Sequence, residues 1–371
     1  MRKKLWIIVL AALAMLAGCE RRPLENIYRS TVKVIVKCIW SVTAYPEGVK
    51  PSGVTMYFFR DGEYYTTLTT ANVDSCEVQL PVGRYKMYMI TQSPEEYWKM
   101  QFEHMTSFTE AETTLRPTSA SWVTRGPEEE VVENPEVICA GVSDEFEITT
   151  KMTEDYQYYY TYLKKMMAAS NAGTKAGDDE NEITYYQERV EYYTVRIPVY
   201  PKSIVSQMWV SIYAEKADLL KSVRASTSGM AKSFEITQGV TGNEEAIQII
   251  SDWKLSMDDT PGRIGHVDGM ITTFGLPNGE TPSAKRDSTL NVSALLIDNT
   301  TTAKYVFNTG DKIKLLAPNP GYRALYRLIL GSAEEPAITD LPDVVPPEGK
   351  TSGMDATVED WEEGETVEIP M

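Results

Sequence analysis

Two histidines and four cysteines, set among 53 carboxylates, are the side chains of this 371-residue chain best suited to acid–base, nucleophilic or metal chemistry. His104 stands in Gln101-Phe102-Glu103-His104-Met105 and His266 in Gly265-His266-Val267-Asp268. Neither has a nucleophile or a second ligand at motif spacing, and a lone histidine of that kind is usually structural. The chain has no G-x-S-x-G elbow, no H-E-x-x-H, no G-x-x-x-x-G-K-[ST] and no G-x-G-x-x-G. Cys38, Cys76 and Cys139 form no C-x-x-C, which excludes the usual zinc spacings and a thioredoxin-type site. The carboxylates could hide a glycosidase pair, but nothing singles one out. No catalytic residue, metal or soluble cofactor is therefore assigned.

The fourth cysteine has a different setting. Arg2, Lys3 and Lys4 precede an apolar run from Leu5 to Leu16, and Leu16-Ala17-Gly18-Cys19 follows at once. The cations and the short apolar core make a secretory signal, since the run is too short for an ordinary membrane span. Small residues before a cysteine resemble the lipobox of bacterial lipoproteins. That resemblance implies cleavage after residue 18, a diacylglycerol on the Cys19 thiol and an acyl chain on its amine. Three chains would hold the mature protein durably on a membrane.

Removing residues 1–18 takes away three positive and no negative charges, so the formal charge of −17 becomes −20 on the remaining 353 residues. So acidic a body binds neither nucleic acid nor an anionic membrane face through its field, leaving lipid as the membrane attachment. That length is more than one core usually needs, and 22 tyrosines with many Val and Thr favour β structure.

The elements that must position these residues read as strands. In Val32 to Trp40 the even positions form one apolar face ending in Cys38, and Cys76 alternates in phase with Val78 and Leu80. Both thiols should point into a sheet interior, either as buried free thiols or as a Cys38–Cys76 disulfide permitted by export. Val54–Phe59 and Tyr64–Leu68 flank Asp61-Gly62, the favoured two-residue hairpin signal. Cys76–Leu80 and Arg84–Ile90, around Pro81-Val82-Gly83, predict a second hairpin. Strands at this spacing are the signature of a β-sandwich. Pro127, Glu128-Glu129-Glu130 and Pro135 mark a less regular stretch, and a domain boundary is expected near residue 150.

Residues 151–193 differ in character, with Tyr156, Tyr158, Tyr159, Tyr160, Tyr162, Tyr185, Tyr186, Tyr192 and Tyr193 around an acidic loop. Tyrosine gives stiff, amphipathic contact area, so this could be a binding face for glycan or protein. The plainer expectation is an insertion, part helix and part strand, whose tyrosines pack on the second domain. Strands resume at Val195–Val199, Met208–Tyr213, Ala246–Ser251, Gly269–Gly275 and the pair Leu290–Ile297 and Tyr305–Phe307. Leu341–Lys350 is a Pro-rich linker by composition, before a final strand at 365–369.

Five stretches, in this order, resemble one family. They are Cys19-Glu20-Arg21-Arg22-Pro23-Leu24, Leu80-Pro81-Val82-Gly83-Arg84-Tyr85, Ser228-Gly229-Met230-Ala231, Thr273-Phe274-Gly275-Leu276-Pro277, and the closing Asp360-Trp361 with Val367-Glu368-Ile369-Pro370-Met371. Together they resemble the fimbrillin-like lipoproteins of Bacteroidetes, related to type V pilus anchor subunits. The resemblance implies an all-β chain of two tandem transthyretin-like (Ig-like Greek-key) β-sandwich domains, residues 19–150 and 151–371, with a partly helical insertion at 151–193. It also implies an outer-membrane, surface-exposed location, no catalysis, and assembly with other fimbrillin-like subunits by β-strand exchange. Thr366, Val367, Glu368 and Ile369, in the terminal segment 355–371, are the candidate donor strand. Completing its own sandwich is the alternative for that segment. The competing function is a surface glycan-binding lipoprotein of a polysaccharide-uptake system, and a third is an envelope hydrolase built on unmarked carboxylates.

Overall fold

The computed structural model describes residues 30–40, 50–119, 130–171, 180–258, 263–278, 288–316 and 321–347. The first strand, β1 (Thr31–Cys38), buries Val32, Val34, Val36 and Cys38 and turns its odd positions outward, as its alternation dictates. Next come β2 (Val54–Arg60) and β3 (Glu63–Thr70), an antiparallel hairpin closed on Asp61-Gly62. Both turn residues hold positive φ, 53° and 92°, the type I′ geometry that matches the twist of the flanking strands.

After β4 (Ser75–Pro81) and β5 (Gly83–Thr91), one expectation needs correcting, because these two strands do not pair. Only Val82 separates them, too little chain to reverse direction, and Pro81 offers no N–H to a ladder. The chain instead passes from one sheet to another. Strand β4 flanks β1, whose other neighbour is β11, whereas β5 lies between β2 and β9.

Shorter strands follow: β6 (Met100–Glu103), β7 (Glu112–Leu115), β8 (Val131–Val132), β9 (Cys139–Val142) and β10 (Phe146–Ile148). Two helices come next, α1 (Thr150–Asn171) and α2 (Glu180–Tyr192). The chain then returns to strands with β11 (Val195–Val199), β12 (Lys202–Ser203), β13 (Ser206–Ala214), β14 (Leu220–Ala231), β15 (Ser233–Glu235) and β16 (Val240–Thr241). Last are β17 (Glu245–Met257), β18 (Gly265–Thr273), β19 (Thr289–Leu296), β20 (Thr302–Asn308), β21 (Lys314–Leu316) and β22 (Leu325–Leu330). The fold is predominantly β with a helical insertion, as expected.

Among the described residues the largest sheet runs β20-β19-β14-β17-β18-β13-β22-β21, with β8 added beside β17. Most pairs are antiparallel, but β8 runs parallel to β17, and β13 to β22 from Gln207↔Leu325 to Ile212↔Leu330. Strands from before and after residue 150 share sheets: β9 pairs with β12, β7 with β15 and β8 with β17.

Compactness divides the chain into two units. Of the described residues, one takes in those up to Val34, those of Val78–Gly83 and those of Glu147–Val195; the other takes in those of Ile35–Glu77, of Arg84–Phe146 and from Arg196 to 347. The two larger cores among the described residues lie in the second unit. In one, alternate residues of β13 (Met208, Val210, Ile212), β19 (Leu290, Val292, Ala294, Leu296) and β22 (Tyr326, Leu328, Leu330) interdigitate. The other is more aromatic, with Tyr57, Phe59, Tyr88, Tyr97, Phe234 and Phe274. Tyr57 stacks on Tyr88 at 4.9 Å between ring centroids, and the Tyr88 hydroxyl donates to the Met105 carbonyl at 2.5 Å. Burying a side chain of this size stabilises by about 1.5–3 kcal/mol, so these rings fix the positions of β2 and β5.

Candidate interaction surfaces

Cys19 and the four residues Thr366, Val367, Glu368 and Ile369 lie outside the described residues. The histidines lie within them, apart in character. His104 sits in an exposed turn at φ 52°, its carbonyl accepting from the Ser107 N–H at 2.7 Å. His266 lies on β18 between two carboxylates, with Nδ1 3.7 Å from Asp258 Oδ1 and Nε2 3.5 Å from Asp268 Oδ2. Its ring leans on Tyr213 at 5.1 Å. Ser211 Oγ donates to Asp268 Oδ1 at 2.5 Å, so the carboxylate, not the imidazole, receives the hydroxyl proton. A nucleophile–base relay needs the opposite order. No set of three or more His, Cys, Asp or Glu among the described residues is placed to hold a metal ion.

Cys38 and Cys76 are free thiols, each buried as its strand phase predicts. Burial pushes the Cys38 thiol up to about 12, with Cys76 and Asp74 adding to the effect. It pushes Cys76 up to about 11 and the buried Cys139 to about 12. Thiols held protonated in this way are poor nucleophiles and poor metal ligands.

Beside the β2–β3 turn lies a shallow cavity of about 350 Å³. Phe59, Phe108 and Tyr85 give it apolar walls, and Asp61, Lys86 and Glu145 place charge at them. The Lys86 ammonium lies 5.6 Å over the Phe108 ring and 3.7 Å from Glu145 Oε2. Sequence reading missed this cavity, because the residues that meet there come from four separated segments.

The second surface is a sheet edge. Among the described residues β20 pairs with β19 alone. Ala303, Tyr305 and Phe307 pack on the core, while Thr302, Lys304, Val306 and Asn308 face outward, Val306 being 69% exposed. Such an edge leaves a row of main-chain donors and acceptors for another strand, with Lys304 as a charge that discourages indiscriminate pairing.

The third is the tyrosine-rich insertion, and here the mixed helix-and-strand expectation is corrected. Its described residues form α1 and α2, and its tyrosines stack mainly on one another. Tyr159 lies parallel to Tyr193 at 5.4 Å, and Tyr162 parallel to Tyr186 at 5.6 Å. Tyrosines at helical spacing let Tyr159 and Tyr162 of α1 meet Tyr185 and Tyr186 of α2. No residue of α2 is buried.

No helix among the described residues is long and apolar enough to cross a membrane. The architecture is that of a solved candidate adhesin from Bacteroides ovatus, which aligns over 89% of this chain and 99% of its own at a TM-score of 0.51 and 15% identity. Two further structures align at lower scores. One is the fimbrial anchor protein Mfa2 of Porphyromonas gingivalis (TM-score 0.42, 11% identity, 81% of this chain and 90% of that one). The other is described as the tip fimbrial protein Mfa3 of the same organism, with a C-terminal truncation (TM-score 0.36, 11% identity, 85% and 96%). The likeness to the adhesin shows a shared fold. Residues 18–251 match a family profile described as a domain of unknown function, DUF5119, and the chain belongs to that family. No curated protein matches it.

Proposed function

We propose that this chain is a non-catalytic lipoprotein of the cell envelope, held in the outer membrane by lipid on Cys19, that anchors, terminates or otherwise serves a fimbria-type adhesive assembly. The observation that carries the assembly role is the β20 edge, a seven-residue strand with one partner among the described residues and an exposed valine. Strand addition at such an edge supplies main-chain hydrogen bonds, and alternate side chains set the register. The terminal segment has the matching form, with Thr366 and Glu368 alternating with Val367 and Ile369. In this reading one subunit's edge accepts a strand, and this chain's own terminal strand is given to a neighbour. The order of cations, apolar run and Leu-Ala-Gly-Cys supports the lipid anchor. Purification of the detergent-solubilised complex from native envelopes, followed by mass spectrometry, should recover fimbrillin-like subunits with this protein.

The cavity at Phe59, Lys86 and Phe108 favours a second reading, a surface glycan-binding lipoprotein. Aromatic walls with flanking charge suit a sugar ring, which offers apolar C–H faces and hydroxyls together. Recovery of glycan-import components in place of fimbrial subunits would select this reading.

A further inference from the structure

The geometry points to the α1–α2 tyrosine face as a surface that lies against the lipid headgroups of the membrane in which the chain is anchored. The inference rests on lipidation at Cys19. A helix of thirteen residues is marginal by itself in water, and α2 buries none of its residues. It is held by its ring stacks against α1, and those stacks leave a continuous tyrosine surface uncovered. Tyr158 is 55% exposed, Tyr185 44% and Tyr192 74%. Tyr158 touches Tyr162, Tyr162 stacks on Tyr186, Tyr185 adjoins Tyr186, and Tyr192 adjoins Tyr193.

Tyrosine, with an apolar ring and a polar tip, is enriched where bilayer meets water. Two cations lie over the rings of this face: Lys165 over Tyr162 at 5.2 Å and Arg189 over Tyr185 at 5.3 Å. Long cationic side chains on such rings can extend to phosphates while their stems stay on apolar surface. The four exposed glutamates of α2 (Glu180, Glu182, Glu188 and Glu191) oppose a purely electrostatic attachment, which leaves the amphipathic rings as the contact.

The occupant is chosen by where the tether arrives. Gln157 of α1 donates from Nε2 to the carbonyl of Thr31, the first residue of β1, at 2.7 Å. Between Cys19 and Thr31 the chain can reach at most roughly 40 Å, at about 3.3–3.6 Å per residue. The helix α1 is itself about 33 Å long at 1.5 Å per residue. An acylated Cys19 therefore keeps the tyrosine face within one short tether of the bilayer. A patch too weak to bind lipid by itself becomes occupied when tethering raises its effective concentration to the millimolar range.

The test compares the full acylated protein, reconstituted in vesicles of phosphatidylethanolamine with a minority of phosphatidylglycerol, with Cys19→Ala protein free in solution. Hydrogen exchange in peptides from 150–171 and 180–192 should slow about threefold or more on vesicles, while exchange in β13 and β18 stays the same. The pair Tyr158→Ser and Tyr192→Ser should remain acylated and helical by circular dichroism yet lose that slowing; Tyr158→Phe with Tyr192→Phe should keep it. An acylated protein whose hairpin exchanges equally in both settings overturns the membrane contact alone. Concentration-dependent protection of the Cys19→Ala protein without lipid would assign the face to a second copy and also overturn it. Absence of an acyl label on the wild-type chain would overturn the anchor reading and this inference with it.

Discussion

His266 shows how the charge around a residue decides what it can do. Its imidazole is flanked by Asp258 and Asp268, and the Ser211 hydroxyl is bonded to Asp268 instead. His266→Gln and His104→Gln should therefore leave assembly unchanged in a fimbrial retention assay. The first should cost less than about 1 kcal/mol in denaturant unfolding, the worth of a partly exposed ion pair. The thiols carry a sharper expectation. Cys38 and Cys76 hold their protons more tightly folded than unfolded, so their contribution is intact below an ordinary thiol value near 9.0. It is lost as pH climbs through about 11 and about 12. Stability measured by unfolding should thus fall above pH 9, and alkylation near neutrality should be slow until denaturant is added. The burial of both thiols was legible, because a period of two assigns every residue of a strand to a face. The setting of His266 was not: the Ser211 hydroxyl that occupies Asp268 comes from β13, 57 residues away in sequence.

At the scale of elements, local chemistry was legible where the turn itself demands a residue type. Gly62 at φ 92° follows Asp61 in a turn that requires two positive φ values. Gly62→Val should cost about 1–3 kcal/mol, read as a lowered unfolding midpoint with the slope unchanged, because a β-branched residue is strained there. The β4–β5 step misleads because Pro81 and Gly83 have the composition of a turn while the link has no room for one. Strand β14 escaped notice for another reason. It lies between β19 and β17 in the large sheet, yet its Ser226, Thr227 and Ser228 are small, polar and buried. The Ser228 hydroxyl accepts from the Thr289 N–H at 2.9 Å, and the Ser228 carbonyl accepts from Ser288 Oγ at 2.9 Å. Hydrophobic patterning is blind to a strand whose buried positions are small and polar. The tyrosine insertion misleads because tyrosine favours strands by propensity, whereas Tyr156, Tyr160 and Leu163 recur at helical spacing and α1 follows that period. Tyr159→Ala removes the ring that stacks on Tyr193 and adjoins Tyr185 and Tyr186, so helical circular dichroism should fall while the β signal persists.

For the whole molecule, the all-β class was legible, since strand spacing and turn residues reflect short-range geometry. Which strands share a sheet was not, because pairings such as β9 with β12 and β8 with β17 join segments about 60 and 115 residues apart. The two ends that the proposed role depends on, Cys19 and Thr366–Ile369, come from sequence alone. Cys19→Ala should abolish acyl labelling and release the protein from membranes or leave it as an uncut precursor; equal labelling of wild type and variant would contradict the anchor. The central claim, that this chain holds a fimbria-type polymer by strand exchange, is tested most directly by deleting residues 358–371. Among the described residues the core of the large sheet is built from residues up to Val344, and the truncated protein should fold, be acylated and stay on the membrane. Counted by electron microscopy of cells and of the culture supernatant, fimbriae should then appear shed into the medium. Fimbriae still bound to cells carrying the truncated protein, or a truncated protein that fails to fold, would contradict the account.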